Sequence, residues 1–376
     1  MDFNNIKDNK GSALRVTFVL PELNLTGGVR VVGIYAQLLA DWGHKVNVLY
    51  PSPPKKTFKQ KVKVFLRLLK GQRPSKLTCP YFDHQKAGMH ELPFHENVTQ
   101  DDIPDADVVI ATFWNTAEWV AKFPESKGQK IYFIQHYEVH PWLPVERVRQ
   151  TFKLPFKKIV VSGWIADCLK TYEDVLVDAI VLNGVDSKQF FSHAREKQTT
   201  ATVGFMYSPR HYKGTQIAID AIELARKTNP ELIVKVFAAE SPTLDMPLPD
   251  KTEFFLSPHQ NQIKDIYSAC DAWLFTSIKE GFGLPILEAM SCKTPVIATP
   301  AGAATNLITP ENGILVDDYS AEKIAGAINL ISKLTEKEWR YLSENAFETA
   351  QQNSWEKSCD QFESALIDSL EASKDI

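Results

Sequence analysis

Short apolar runs that alternate with helical patterns along nearly the whole chain are the feature that most constrains its fold. Residues 13–20 read as a buried strand rich in Val, Phe and Leu, and a helical pattern over 29–42 is stopped by Gly43. Residues 45–50 form the next expected strand, so the chain opens as a β-α-β unit. Strands are expected again at 107–112, 130–134, 158–162 and 178–182. A second series begins at Thr202, with strands over 202–206, 232–238, 272–275, 295–298 and 313–316 and helices over 213–227, 260–270, 284–290 and 321–334. Such alternation builds parallel sheets covered by helices on both faces. Asn183-Gly184-Val185-Asp186 supplies a turn, and the polar stretch to Thr200 resembles a linker. The 376 residues therefore divide into an N-terminal Rossmann-like domain, 1–185, and a second one, 186–354. Ser354-Trp355-Glu356 opens a final helix, 355–376, expected to pack back on the first domain. Two such α/β domains with parallel sheets face each other across a cleft, and open parallel sheets bind ligands at the C-terminal ends of their strands.

Charge and cysteine usage exclude several classes of function. The net charge of -4 predicts no general affinity for nucleic acid. Cys79, Cys168, Cys270, Cys292 and Cys359 are scattered, which argues for reduced thiols and against a disulfide framework or zinc site. His84, His90 and His95 fall in a stretch that reads as loop, at spacings that match no standard ligand set, so no metal site is expected. The polar N-terminus has no signal-peptide core and no run is apolar enough to span a membrane, so the expected location is cytoplasmic. Gly27, Gly28 and Gly33 miss the G-x-G-x-x-G spacing, which weakens an NAD reading and ranks it last among the alternatives.

The chemistry concentrates in residues 278–290, Ile-Lys-Glu-Gly-Phe-Gly-Leu-Pro-Ile-Leu-Glu-Ala-Met. This is a strand end, a sharp turn and a helix start. Gly281 and Gly283 let the backbone approach a ligand, and Pro285 suits the first helical turn, where its missing N–H is not needed. The helix N-terminus presents N–H groups and a positive dipole end to an anion such as phosphate. Glu280 lies in the loop and Glu288 a turn inside the helix, so the two acids are placed to hold different parts of one ligand rather than share a proton. A second strand-to-helix turn, Ser208-Pro-Arg210-His-Tyr-Lys213-Gly214, adds two cations suited to a diphosphate. Together the set asks for a nucleotide diphosphate bearing a polyol, since carboxylates accept hydrogen bonds from vicinal hydroxyls.

One stretch has a different character. Between Tyr50 and Phe82 there is no acidic residue, while Lys55, Lys56, Lys59, Lys61, Lys63, Arg67, Lys70 and Arg73 are basic. On a helical wheel Phe58, Val62, Phe65, Leu66 and Leu69 share one face, and Lys56, Lys59, Lys63, Arg67 and Lys70 share another. Such a helix over 55–73 suits either an anionic membrane surface or packing on its own domain with a solvated basic side.

Residues 271–317 resemble the donor-binding region of the retaining glycosyltransferases of family 4 (glycosyl transferases group 1), which have the two-domain GT-B fold. The E-x7-E motif matches Glu280 and Glu288, and Glu-Gly-Phe-Gly-Leu-Pro, Glu-Ala-Met and Thr-Pro-Val-Ile-Ala match around it. The similarity extends through Lys213-Gly214, Asn183-Gly-Val-Asp186 and Gly27-Gly28. It implies that Glu288 holds the nucleotide ribose, and that Glu280 with the amides of Phe282, Gly283 and Leu284 holds the donor sugar. It further implies that Lys213, helped by an arginine such as Arg210, neutralises the diphosphate, and that His136 faces the donor sugar. Gly27 and Gly28 would approach the diphosphate or acceptor, with Ser162 and Trp164 lining the cleft. Three positions depart from the family pattern: Gly204-Phe205 replaces the common Gly-Arg, Asn306 stands at a usual glutamate, and Lys293 stands where glycine is common.

The implied activity is metal-independent, retaining transfer of a hexosyl or deoxyhexosyl group from a nucleotide diphosphate sugar, with no cofactor. The implied acceptor is a glycan or lipid-diphosphate-linked molecule, in cell-surface polysaccharide assembly at the inner face of a membrane. Alternatives on the same fold are a sugar-nucleotide epimerase, which needs no acceptor, and a phosphorylase, which needs phosphate. A non-enzymatic sugar-binding protein is the third alternative.

Overall fold

The computed structural model describes residues 13–24, 26–52, 82, 86–92 and 98–372. The basic stretch 55–73, His84, His95 and Cys79 lie outside the described residues. The chain forms two compact units, one of Met1–Ile159, Val177–Ala179 and Phe362–Ile376, the other of Val160–Leu176 and Ile180–Gln361.

The first unit is built on β1 (Arg15–Val19), α1 (Gly27–Asp41), β2 (Lys45–Pro51), β3 (Gly88–Leu92), β4 (Val108–Ala111), α2 (Trp114–Ala121), β5 (Gln129–Ile134), α3 (Val145–Phe152) and β6 (Lys157–Val160). After β6 come α4 (Gly163–Glu173), which groups with the second unit, and the short β7 (Ala179–Ile180). Among the described residues the strands form one sheet in the order β3-β2-β1-β4-β5-β6-β7. The ladders of β1 with β2 and β4, of β2 with β3, and of β4 with β5 are parallel. Central strands are covered on both faces, so Val16, Phe18, Val109 and Ile131 are all fully buried.

The second unit runs β8 (Thr202–Met206), α5 (Thr215–Arg226), β9 (Ile233–Ala238), β10 (Thr252–Leu256), α6 (Gln260–Ser268), β11 (Ala272–Phe275) and α7 (Leu284–Ser291). It continues with β12 (Val296–Ala298), α8 (Ala304–Leu307), β13 (Gly313–Leu315), α9 (Ala321–Lys333), α10 (Glu336–Gln352) and α11 (Trp355–Glu371). The sheet order is β10-β9-β8-β11-β12-β13, with every pair parallel. This is the doubly wound order, in which the direction of strand addition reverses between the first and fourth strands. The two α/β units with parallel sheets agree with the expected fold class.

Three local expectations are corrected. The sheet edges are extended by β3 and β10, which the sequence pattern does not reveal because both are only partly buried and neither alternates cleanly. His90 is consequently in a strand and not a loop, with Nε2 3.0 Å from Asn47 Oδ1 on the neighbouring strand. The stretch expected to be a polar linker before Thr202 is pinned to the second unit. One Nη of Arg195 donates to Cys270 O (2.7 Å), Lys293 O (3.0 Å) and Thr294 Oγ1 (2.8 Å), while the guanidinium stacks over Trp339.

The division between units falls within α11. In the first unit its Phe362 ring stacks on Tyr35 at 4.6 Å and meets Phe133 edge-on at 5.0 Å. Beside it, His44 Nδ1 accepts from the Leu14 amide, so Nε2 carries the proton and donates to Glu363 Oε1 at 2.8 Å. No helix among the described residues is long and apolar enough to cross a membrane.

Candidate functional site

The loops that follow β8 and β11 leave the C-terminal ends of adjacent strands at the reversal point of the second sheet. They come unusually close. Gly214 has φ +64°, and a Cβ there would lie 1.8 Å from the Thr276 carbonyl oxygen, so only glycine permits the approach. Thr276 Oγ1 donates to Gly214 O at 2.9 Å, and the Ile278 amide donates to Tyr212 O at 2.8 Å. The result places Lys213 Nζ 2.5 Å from Glu280 Oε2, in a pair whose side chains are 19% and 16% exposed. Ser277 Oγ also donates to that oxygen, at 3.4 Å.

From Glu280 the chain turns into α7. Gly283 precedes the helix with φ +92°, and a Cβ there would strike the Phe275 ring at 2.6 Å. Pro285 sits in the first turn. The amide groups of Phe282, Gly283 and Leu284 donate to no acceptor among the described residues, although Phe282 is buried at 4% exposure. A buried N–H without a partner loses its hydration energy, so this turn can take an acceptor from outside the chain. One turn further on, Glu288 is 8% exposed and accepts a hydrogen bond from Tyr267 OH at 3.1 Å. A carboxylate offers about four lone-pair positions, so it can keep the tyrosine and also take ligand hydroxyls. Glu280 and Glu288 thus have separate partners.

Several partners of this loop come from remote sequence. Ser162, fully buried at the start of α4, donates from Oγ to Gly281 O at 2.7 Å. The next amide, Gly163 N–H, donates to Asn306 Oδ1 at 3.0 Å. Asn306, the departure from the family glutamate, therefore accepts from a backbone N–H as a carboxylate would, without bringing a charge. Lys293 occupies a left-handed turn with φ +58°, which accounts for glycine at that position in the family pattern; its Nζ reaches Glu344 at 2.5 Å. Phe205 is 1% exposed in the core, so no cation enters the site from that strand position. Arg210 caps the short 3-10 turn His211–Lys213, is exposed, and pairs with no carboxylate among the described residues.

His136, Gly27 and Gly28 belong to the first unit, where they also follow strand ends. Gly27 and Gly28 open α1 just after β1, and nothing within 4 Å would meet a Cβ on Gly27. His136 follows β5. Its Nδ1 lies 3.1 Å from the Tyr137 carbonyl, which can only accept, so in the neutral ring the lone pair is on Nε2. Beside it, the Gln135 side chain lies 3.5 Å from the position of a Gly28 Cβ, and its buried Oε1 has no hydrogen-bond partner among the described residues. Glu138 is fully enclosed; it accepts from the Trp114 amide at 3.0 Å, and burial pushes its carboxyl well above the usual range. Among the described residues no three His, Cys, Asp or Glu side chains converge as metal ligands. Burial raises the Cys168 thiol to about 11 and the Cys270 thiol to about 12, which removes both as nucleophiles at neutral pH.

Residues 186–349 match the family model described as glycosyl transferases group 1. The chain is similar to the lipopolysaccharide core biosynthesis mannosyltransferase LpsB of Rhizobium meliloti, at 32% identity over 196 residues, 45% of this chain and 54% of the relative. It is also similar to the O-antigen chain mannosyltransferase RfbU of Salmonella typhimurium, at 26% identity over 214 residues, 54% of each chain. The chain thus spans about half the length of these curated relatives. Among solved structures, Anabaena HepE in complex with UDP shares the fold with a TM-score of 0.69 and 17% identity, covering 94% of this chain and 100% of the other.

Proposed function

We propose that this chain, whose residues 186–349 match the family model of the glycosyl transferases group 1, is a retaining, metal-independent glycosyltransferase. It moves a hexosyl or deoxyhexosyl group from a nucleotide diphosphate sugar to a hydroxyl of a glycan or lipid-diphosphate-linked acceptor in polysaccharide assembly. The observation that carries this reading is the row of unpaired amides at Phe282, Gly283 and Leu284, set between the Lys213–Glu280 pair and the Glu288–Tyr267 pair. Two relatives named as mannosyltransferases of lipopolysaccharide core and O-antigen support the substrate class.

In this mechanism the amides and the α7 dipole take the sugar-bearing end of the diphosphate, and Lys213 neutralises the charge that grows on the departing phosphate oxygen. Arg210 adds a second cation. Glu288, held by Tyr267, accepts the ribose hydroxyls; Glu280 accepts from the donor sugar. From the first unit, His136 is assigned to the donor sugar, and Gly27 and Gly28 to the diphosphate or acceptor. The acceptor hydroxyl attacks the anomeric carbon on the face the phosphate leaves, and the departing phosphate oxygen takes its proton. The bond formed is sugar to acceptor oxygen, and the bond broken is sugar to phosphate oxygen.

A thermal-shift series with UDP, GDP, dTDP and ADP and their sugars, repeated on Glu288→Ala and in EDTA, tests the reading. One nucleotide family should stabilise the wild type, with or without EDTA, and Glu288→Ala should lose that response. Unchanged shifts in Glu288→Ala would refute the ribose assignment, and turnover without any acceptor would favour the epimerase.

A further inference from the structure

A trans peptide points its C=O and the following N–H in opposite directions, so fixing one fixes the other. In the turn before α7, the carbonyls ahead of two amides that have no acceptor among the described residues are both fixed. Gly281 O accepts from Ser162 Oγ at 2.7 Å, and Phe282 O accepts from the Ala303 amide at 2.7 Å. The N–H of Phe282 therefore points away from Ser162, and that of Gly283 away from Ala303. The two anchors are tied to each other. The Gly163 amide donates to Asn306 Oδ1 at 3.0 Å, and the Asn306 amide donates to Ala303 O at 3.0 Å. Together they form a wall behind the turn, and the two N–H groups leave on the side away from it.

The wall stands close to the turn. A Cβ on Gly302, whose φ is +59°, would lie 2.4 Å from Phe282 O, so glycine is what lets the Ala303 amide reach that oxygen. At the other anchor, Ser162 is fully buried on extended backbone and gives its hydroxyl hydrogen to Gly281 O. Its oxygen also accepts from the Ile165 amide as the cap of α4, but at 3.4 Å, so the short bond of this side chain is the one to the turn. Ala303 acts through its main chain and Ser162 through its side chain, so a substitution at Ser162 releases one peptide plane and leaves the other. A buried carbonyl stripped of its donor is costly, and the glycine at 281 lets the released plane rotate in search of a new one. That rotation turns the Phe282 N–H out of line.

We propose that Ser162 is a positioning residue for the donor diphosphate: by holding Gly281 O, its hydroxyl aims the Phe282 N–H at the phosphate oxygen that the turn receives. This rests on the glycosyltransferase reading of the turn and deepens it by naming the side chain, 119 residues earlier in the chain, that sets its geometry.

The test uses the full chain labelled with 1-13C glycine and 15N phenylalanine. Its two Gly-Phe pairs give two peptide signals, one from Gly204–Phe205 in β8 and one from Gly281–Phe282, and loss of the first in Phe205→Leu assigns the second. UDP, GDP and inorganic pyrophosphate are titrated into the wild type, Ser162→Ala and Ser162→Thr, with calorimetric affinities and ligand-free thermal unfolding measured alongside. A diphosphate should move the Gly281–Phe282 signal of the wild type. Ser162→Ala should shift that signal before any ligand is added and bind the nucleoside diphosphate about tenfold more weakly, as for a misaimed hydrogen bond to a charged group. Ser162→Thr keeps the hydroxyl on backbone that suits a β-branched cap, and should restore both. If Ser162→Ala does not fold, Ser162→Cys, close in size and a weak donor, carries the same comparison. A drop in thermal stability with the signal and the affinity unchanged would mean that Ser162 only caps α4, and overturns the proposal. Equal weakening in Ser162→Thr overturns it as well. If a diphosphate moves the wild-type signal and binds Ser162→Ala equally well, the positioning role falls and the donor reading stands. If no diphosphate moves the wild-type signal although Ser162→Ala shifts it, the donor reading fails and takes the positioning role with it.

Discussion

Lys213 and Glu280 neutralise each other at 2.5 Å, so a diphosphate that recruits Lys213 must part it from Glu280. In the proposed donor complex the sugar hydroxyls would compensate the released carboxylate, whereas a bare nucleoside diphosphate brings no such hydroxyls to it. Glu280→Gln is therefore expected to bind the nucleoside diphosphate about tenfold more tightly, while losing preference for the sugar-bearing form; this figure corresponds to about 1.4 kcal/mol. Calorimetric titration with both ligands checks it, and weaker diphosphate binding would contradict the exchange. Glu138 gives a second prediction at this scale. Its folded carboxyl titrates well above the usual value because of burial, so its contribution to stability is fully present below the unfolded value near about 4.3 and is lost as pH rises toward the folded value. Glu138→Gln keeps a neutral side chain at every pH, and its stability should fall less than the wild type's between about pH 5 and 8. Urea midpoints across that range would show parallel pH profiles if the carboxyl were not held neutral.

Two elements depend on single side chains far away in sequence. The Arg195 guanidinium replaces a linker's freedom with bonds to the carbonyls of Cys270 and Lys293 and a stack on Trp339. Burial lowers its pKa, and nearby Cys270 and Asp271 oppose that shift. Arg195→Met should destabilise the second unit by about 3 kcal/mol, because buried carbonyls lose their donor while the stem still fills space. At the β8–α5 turn, Gly214→Ala places a methyl against Thr276 O in a left-handed conformation. It should separate the two loops and abolish nucleotide-dependent thermal stabilisation, with a stability loss of about 2 kcal/mol or more. Retained nucleotide response in Gly214→Ala would mean that loop contact is not required for the site.

At the scale of the molecule, α11 joins the last stretch of chain to the first unit through Phe362 and Glu363. Phe362→Ala removes a ring packed on Tyr35 and Phe133 and should cost about 3 to 5 kcal/mol, read from the unfolding of the first unit. If that unit unfolds unchanged, the aromatic cluster is not what secures it. The strands at 202–206 and 272–275 were legible to the residue because they are central and buried on both faces. The edge strands β3 and β10 were not, since both are only partly buried and carry polar residues within short runs. The same division runs through the candidate site. Glu280, Glu288, Lys213 and the glycine turn announce themselves by spacing within short segments. Tyr267 and Ser162 carry no such local signal, because each meets the site through a contact between segments far apart in the chain.

The amino-acid sequence alone determined the α/β alternation, the glycine turn before α7 and the residue types gathered there, since periodicity, glycine turns and helix starts are local properties of the backbone. Tertiary structure decided which groups meet. It closed Lys213 on Glu280 through a glycine contact, tied Arg195 to the sheet, and left Trp142 outside the core. Those outcomes depend on distances between segments far apart in the chain, and packing alone sets them.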